Sequence, residues 1–194
     1  MDFYVMQIRS ANYFYAKTKN DQYIVKKCPM CGSVRQERKY EQLKITIMGK
    51  MKADYVFSPY YHIVSSKMLK LLSDNEISGF LGNDINCIEW RDRNGILLNQ
   101  DIPALKELIV TGRCGRLKTK NNIEIPECPK CGALIKSLWK KEKGFVVDEW
   151  DSSDMFHFKN WRGPIIVTDK VKCLLEKNKM KNIKFQRLDE FQFS

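Results

Sequence analysis

Two segments with the same pattern, Cys-Pro-x-Cys-Gly, organise this chain of 194 residues: Cys28-Pro29-Met30-Cys31-Gly32 and Cys128-Pro129-Lys130-Cys131-Gly132. In such a knuckle two thiolates converge on one cation, while proline fixes the entry to the turn and glycine allows a positive φ at its exit. Two knuckles together supply the four sulfur ligands that tetrahedral Zn²⁺ prefers. The pattern therefore predicts one metal site, with the ligands Cys28, Cys31, Cys128 and Cys131.

Other uses of these four cysteines fit the sequence less well. Disulfides are disfavoured because the total of seven cysteines is odd and no secretory signal precedes the first knuckle. A thioredoxin-like redox motif would use a single Cys-x-x-Cys pair. Iron of the rubredoxin kind takes the same four ligands, so zinc is the default and iron stays open. Because four cysteines fill a tetrahedral coordination sphere, we expect a structural metal ion rather than a catalytic one.

The composition is that of a globular protein, with 43% apolar and 11% aromatic residues. The length allows one compact domain spanning residues 1–194, or two small, closely packed lobes. No apolar run approaches the roughly 20 residues that a membrane span requires. The segment Met1-Asp2-Phe3-Tyr4 lacks the basic and apolar regions of a signal peptide, so we expect a cytoplasmic protein.

The formal net charge is +11, which raises nucleic acid as a partner. Three aromatic residues near basic ones, Tyr40, Trp139 and Trp161, are candidate stacking platforms for bases. The excess charge is spread over both halves of the chain, which is typical of solvated faces. Knuckles so far apart also do not form a compact zinc ribbon, so nucleic-acid binding is the second hypothesis.

Residue patterns predict an α+β fold with mainly antiparallel strands and two or three short helices. One helix is expected to begin after the cap residue Ser65 and another after Thr168, and Pro103 suggests a short third helix over 104–108. The dipeptide Asn94-Gly95 predicts a tight turn between two strands. Strands are predicted near Phe3–Ile8, Leu43–Met48, Cys87–Trp90, Leu108–Val110, Phe145–Val147 and Ile183–Phe185, and the turn joins Cys87–Arg91 to Ile96–Leu98.

The two halves of the chain, 1–100 and 101–194, resemble each other beyond the knuckles. Ile63-Val64-Ser65-Ser66-Lys67-Met68 aligns with Ile166-Val167-Thr168-Asp169-Lys170-Val171 at an offset of 103 residues. Each half has the order knuckle, strand, capped helix and returning strand. We therefore predict a degenerate internal duplication whose two copies are clasped by the shared metal. The alternative is that any two amphipathic capped helices look alike.

The remaining chemistry-bearing residues have structural explanations. His62, next to two tyrosines, is expected to be a hydrogen-bonded structural residue, and the sequence contains no nucleophile elbow, phosphate loop or paired-histidine motif. We therefore predict that the protein is not an enzyme. Cys87 and Cys173 are expected to be buried thiols. Cys114 lies between two glycines and stays outside the predicted ligand set.

The doubled Cys-x-x-Cys-Gly motif, together with Asp154-Met155-Phe156 and Val167-Thr168-Asp169-Lys170-Val171, resembles the double-CxxCG motif proteins. This bacterial family includes immunity proteins of the swarming-inhibition toxin type. The resemblance implies a cytosolic protein that binds and neutralises a cognate toxin, with the toxin's C-terminal domain as its partner. It also implies that the four knuckle cysteines are metal ligands. It does not carry over a toxin-binding surface.

Overall fold

The structure is a computed structural model that describes residues 1–10, 14–18, 23–50, 53–135 and 143–193. Strands dominate this part of the chain, and the two α-helices are short: α1 (Ser66–Asp74) and α2 (Asp169–Lys177). A 3₁₀ turn follows at Leu188–Glu190. The strands are β1 (Phe3–Ile8), β2 (Phe14–Thr18), β3 (Tyr23–Lys27), β4 (Val34–Arg38), β5 (Leu43–Gly49), β6 (Tyr55–Val56), β7 (Ile63–Ser65), β8 (Phe80–Arg91), β9 (Leu105–Val110), β10 (Gly112–Cys114), β11 (Lys118–Thr119), β12 (Phe145–Val146), β13 (Met155–Phe158), β14 (Trp161–Thr168) and β15 (Ile183–Arg187).

The strands form two main sheets, and most neighbours within them are antiparallel, which confirms the predicted α+β class. The six-stranded sheet has the order β2-β5-β8-β9-β7-β6, and the five-stranded sheet has the order β10-β13-β14-β1-β15. Two pairs are parallel, β5 with β8 and β10 with β13. Two small antiparallel pairs, β3 with β4 and β11 with β12, lie outside these sheets.

The sheets do not divide the chain at residue 100. Strand β1 lies between β14 and β15, among strands of the second half. Strand β9 lies between β7 and β8, among strands of the first half. Each half of the sequence thus supplies one strand that is hydrogen-bonded on both sides to strands of the other half. The two halves are interleaved, so they are not two separate lobes.

The helices begin where the sequence predicts, and each buries one face. Ser65 caps α1, since its Oγ accepts a hydrogen bond from the backbone N–H of Met68 at 3.1 Å. Thr168 precedes α2 but makes no such side-chain bond to the helix. Both helices pack into one core with side chains from both sheets, including Val64, Leu108 and Met155.

The third predicted helix, over 104–108, is wrong. Residues from Leu105 onward form strand β9, which pairs with a neighbouring strand on each side. Proline at a first helical turn is only a local signal, and completing the hydrogen bonds of two flanking strands outweighs it. The turn predicted at Asn94-Gly95 is confirmed, because Gly95 has a φ of +83° and the Asp92 N–H donates to the Ile96 carbonyl at 2.8 Å.

Two aspartates, the buried Asp54 and the half-buried Asp154, tie the interleaved halves together in matching ways. The carboxylate of Asp54 accepts hydrogen bonds from Ser65 Oγ at 2.6 Å and from the backbone N–H of Lys181, beyond α2, at 2.8 Å. The carboxylate of Asp154 accepts a hydrogen bond from the hydroxyl of Thr168, which precedes α2. It accepts another, at 3.0 Å, from the backbone N–H of Ser78, beyond α1. Each aspartate therefore joins the start of its own half's helix to the loop after the other helix. That the halves arose by duplication stays a prediction.

Candidate metal centre

The two knuckles have the same backbone geometry. In the first, the Gly32 N–H donates to the Cys28 carbonyl at 2.9 Å, and the Cys28 N–H donates to the Ser33 carbonyl at 2.8 Å. The second knuckle, 128–132, makes the equivalent bonds at 2.7 and 2.8 Å. Gly32 and Gly132 have φ values of +72° and +66°, a region that residues with a Cβ rarely adopt. The role predicted for these glycines is confirmed.

The four predicted ligands come together at one point. All four Sγ atoms lie within 4.8 Å of one another. The Sγ atoms of Cys28 and Cys128 are 3.9 Å apart, and those of Cys31 and Cys131 are 3.4 Å apart. A tetrahedral ion with metal–sulfur bonds of about 2.3 Å sets its sulfurs ~3.8 Å apart. All seven cysteines are free thiols, so the cluster can hold a metal ion.

The cluster has a buried side and an exposed side. Cys28 and Cys128 are 8% and 2% exposed, whereas Cys31 faces solvent. Hydrogen bonds from Ser33 lower the pKa of the Cys31 thiol to about 6. At Cys131 the Ala133 N–H favours the thiolate, but partial burial and the neighbouring sulfurs outweigh it and raise the pKa to about 12. A metal ion bound at this cluster would displace the protons that remain on the thiols.

Within the described ranges, the cluster contains four cysteines and no histidine, aspartate or glutamate. Four sulfurs complete a tetrahedral coordination sphere and leave no position for water or a substrate. An ion held here would cross-link two chain segments that are 100 residues apart. The arrangement therefore suits a structural site.

The other cysteines lie apart from this cluster. Cys114 is fully buried in β10, and burial raises the pKa of its thiol to about 12. Cys87 is half-buried in β8. The predicted burial of Cys173 is wrong, because α2 buries Val171 and Leu175 and turns Cys173 to solvent.

A pair of histidines was missed by the sequence analysis. His62 Nδ1 is hydrogen-bonded to the hydroxyl of Tyr55 at 2.7 Å, which agrees with its expected structural role. Its ring also lies 6.0 Å from the ring of His157, a contact that no local pattern indicates. Nδ1 of His157 is 2.8 Å from the carbonyl oxygen of Pro164. Burial lowers the pKa of both imidazoles to about 4.

The aromatic residues proposed as stacking platforms are not equivalent. Trp161 is 6% exposed and packs against Phe191 and Phe193 in an aromatic core, so it is not available to a base. Tyr40 is exposed. Trp139 lies outside the described residues.

Comparisons with known proteins found no matching family profile and no matching curated protein. Neither of the two described helices is long and apolar enough to cross a membrane.

Proposed function

We propose that this is a cytoplasmic immunity protein that binds and neutralises a cognate bacterial toxin, and that its four-cysteine cluster holds a structural zinc ion. The observation that carries the proposal is the closed cluster formed by two knuckles 100 residues apart. A site of this kind stabilises a fold and leaves function to the surface. The sequence resemblance to the double-CxxCG motif proteins supports toxin neutralisation in particular.

Zinc is proposed as the metal because tetrahedral thiolate sites are its usual structural environment. The separations of 3.4 and 3.9 Å between paired sulfurs suit this geometry. Elemental analysis of purified protein should find about one zinc per chain. Iron in the same site would show itself by the visible absorption of an iron–thiolate centre, and that result would replace zinc by iron.

The partner is proposed to present an acidic face to this protein. A net charge of +11 favours fast association with such a face and disfavours basic partners. The test is to identify the neighbouring upstream reading frame and to express the C-terminal module of its product, with and without this protein. Growth rescue and co-purification of the pair are expected. A toxic module that is neither bound nor neutralised contradicts the proposal.

Nucleic-acid binding is the second candidate, and the net charge is the observation that favours it. A protein that neutralises several phosphates loses affinity steeply with rising salt concentration. Titrations of duplex and single-stranded DNA and of RNA at two or more salt concentrations measure this slope directly. Only weak binding is expected, because Trp161, one of the proposed stacking platforms, is buried.

A further inference from the structure

A cleft of about 1030 Å³ opens beside the metal centre. Its walls come from both halves of the chain: β1, β4, the loop before β7, the second knuckle, the turn between β13 and β14, and β15. Cys131 itself is one of the lining residues. The cleft therefore exists only when the interleaved halves are held together.

The cleft is positively charged. The exposed side chains of Arg35, Arg162 and Lys184 line it, and none of them forms an ion pair within the described residues. Glu127 is the one carboxylate among the described lining residues, and Arg116 already pairs with it. The cleft thus offers three cations without a bound anion. We call it the basic cleft.

The basic cleft also contains buried polar atoms that lack partners. Gln36 Oε1, Ser58 Oγ and Asn160 Nδ2 have no hydrogen-bond partner within the described residues, and all three residues line the cleft. Asn160 is held in place because its Oδ1 accepts from the backbone N–H of Leu117 at 2.8 Å, which leaves Nδ2 as a donor. Buried polar groups without partners are uncommon in native proteins. Ser58 Oγ and Asn160 Nδ2 therefore have hydrogen-bonding capacity that the described residues leave unused.

The rim of the basic cleft adds apolar contact area. Val34 and Tyr60 line it and are each 49% exposed. Lys159 is a fourth cation that lines the cleft, but it is already paired with Glu149 at 2.6 Å and is therefore not counted with the three unpaired cations. Mixed apolar and cationic contacts suit a peptide that carries carboxylates. A nucleic-acid strand instead needs a continuous cationic track along its phosphates.

We propose that the basic cleft binds an acidic, carboxylate-bearing segment of the protein partner. Arg35, Arg162 and Lys184 would pair with its carboxylates, and Ser58 and Asn160 would donate hydrogen bonds to its oxygens. This inference rests on the proposed function, since it names the surface by which the toxin would be held.

The test uses full-length metal-loaded protein and a fluorescein-labelled peptide of about ten glutamates, at about 150 mM NaCl so that distant charges are screened. The cleft variant carries Arg35→Gln, Arg162→Gln and Lys184→Gln. The matched control carries three exposed lysines changed elsewhere: Lys50→Gln, Lys67→Gln and Lys177→Gln. Both variants lose the same charge, and equal thermal unfolding midpoints confirm that both are folded.

Fluorescence anisotropy should show that the cleft variant binds the peptide on the order of tenfold more weakly than wild type, and the control variant no more than about twofold more weakly. Equal losses in both variants would mean that net charge alone attracts the peptide, which overturns the proposal. No binding to the wild-type protein also overturns it. A single-stranded oligonucleotide that binds more tightly than the peptide, and loses affinity in the cleft variant, assigns the cleft to nucleic acid instead.

Rescue from the toxin separates this inference from the proposed function. If wild type and the cleft variant protect cells equally well, the immunity function stands and the basic cleft is not the toxin site. If wild type itself fails to protect against a verified toxic module, the proposed function is wrong, whatever the peptide does.

Discussion

Removal of one knuckle tests whether the four cysteines share a single metal ion. The double substitution Cys128→Ser and Cys131→Ser leaves two sulfurs, which is too few for a closed tetrahedral site. We expect the bound metal to be lost completely. Elemental analysis of the purified variant measures this directly.

The expected loss of stability follows from the length of chain that a shared metal ion would close. Cys28 and Cys128 are 100 residues apart, and their sulfurs are 3.9 Å apart. By analogy with a disulfide that closes a loop of this length, the constraint on the unfolded chain contributes about 5 kcal/mol. For a protein of this size the unfolding midpoint should fall by about 10–20 °C. The shared core and the hydrogen bonds of Asp54 and Asp154 still join the halves, so we expect a folded but less stable variant.

A thermodynamic cycle gives the sharper result. The double substitution Cys28→Ser and Cys31→Ser should lower the free energy of unfolding by as much as the double substitution at 128 and 131. The variant with all four substitutions should lower it by no more than either double variant alone. Cys173→Ser is the matched control, because this thiol is exposed and lies outside the cluster. Additive costs, or one metal per chain remaining in either double variant, would refute a shared site.

Three further outcomes can be measured independently. Burial holds the pKa of His62 and His157 at about 4, below the 6.5 of an unfolded chain. At pH values between these two, the unfolded state therefore binds more protons than the folded state. The free energy of unfolding should decrease as the pH falls through this window, by roughly 3 kcal/mol per histidine. An NMR titration of these two side chains checks this, and midpoints near 6.5 would contradict it. Arg38→Ala should lower the free energy of unfolding in urea by about 3 kcal/mol, because it leaves the buried carboxylate of Glu107 without its ion-pair partner. A matched Arg38→Met, Glu107→Gln variant should recover most of this loss. An unchanged urea midpoint for Arg38→Ala counts against this pairing. Gly32→Ala should lower the free energy of unfolding by about 1–2 kcal/mol through the positive φ alone, since an added Cβ meets no atom within 4 Å. Gly32→Asn should lower it by less. If thermal unfolding shows a larger loss for Gly32→Asn than for Gly32→Ala, steric contact matters more than φ.

The elements that sequence reasoning identified correctly are those with local causes. The knuckle glycines, the Ser65 cap and the Asn94-Gly95 turn each depend on the conformation of a few adjacent residues. The predicted strands match β1, β5, β8, β9, β12 and β15, because β-branched and aromatic enrichment reflects burial within one segment. The helix predicted over 104–108 is wrong for a non-local reason. There, pairing with two neighbouring strands overrode a local proline signal.

The four cysteines of the candidate metal centre can be identified from the sequence, because a closed thiolate site requires particular residue types at particular spacings. Three features become visible only in the folded chain: β1 and β9 each lie among strands of the other half, the ring of His62 lies beside that of His157, and Arg35, Arg162 and Lys184 line one cleft. These contacts join residues far apart in the chain. They arise from completing the hydrogen bonds of whole sheets and burying a common core, and no short pattern encodes that outcome.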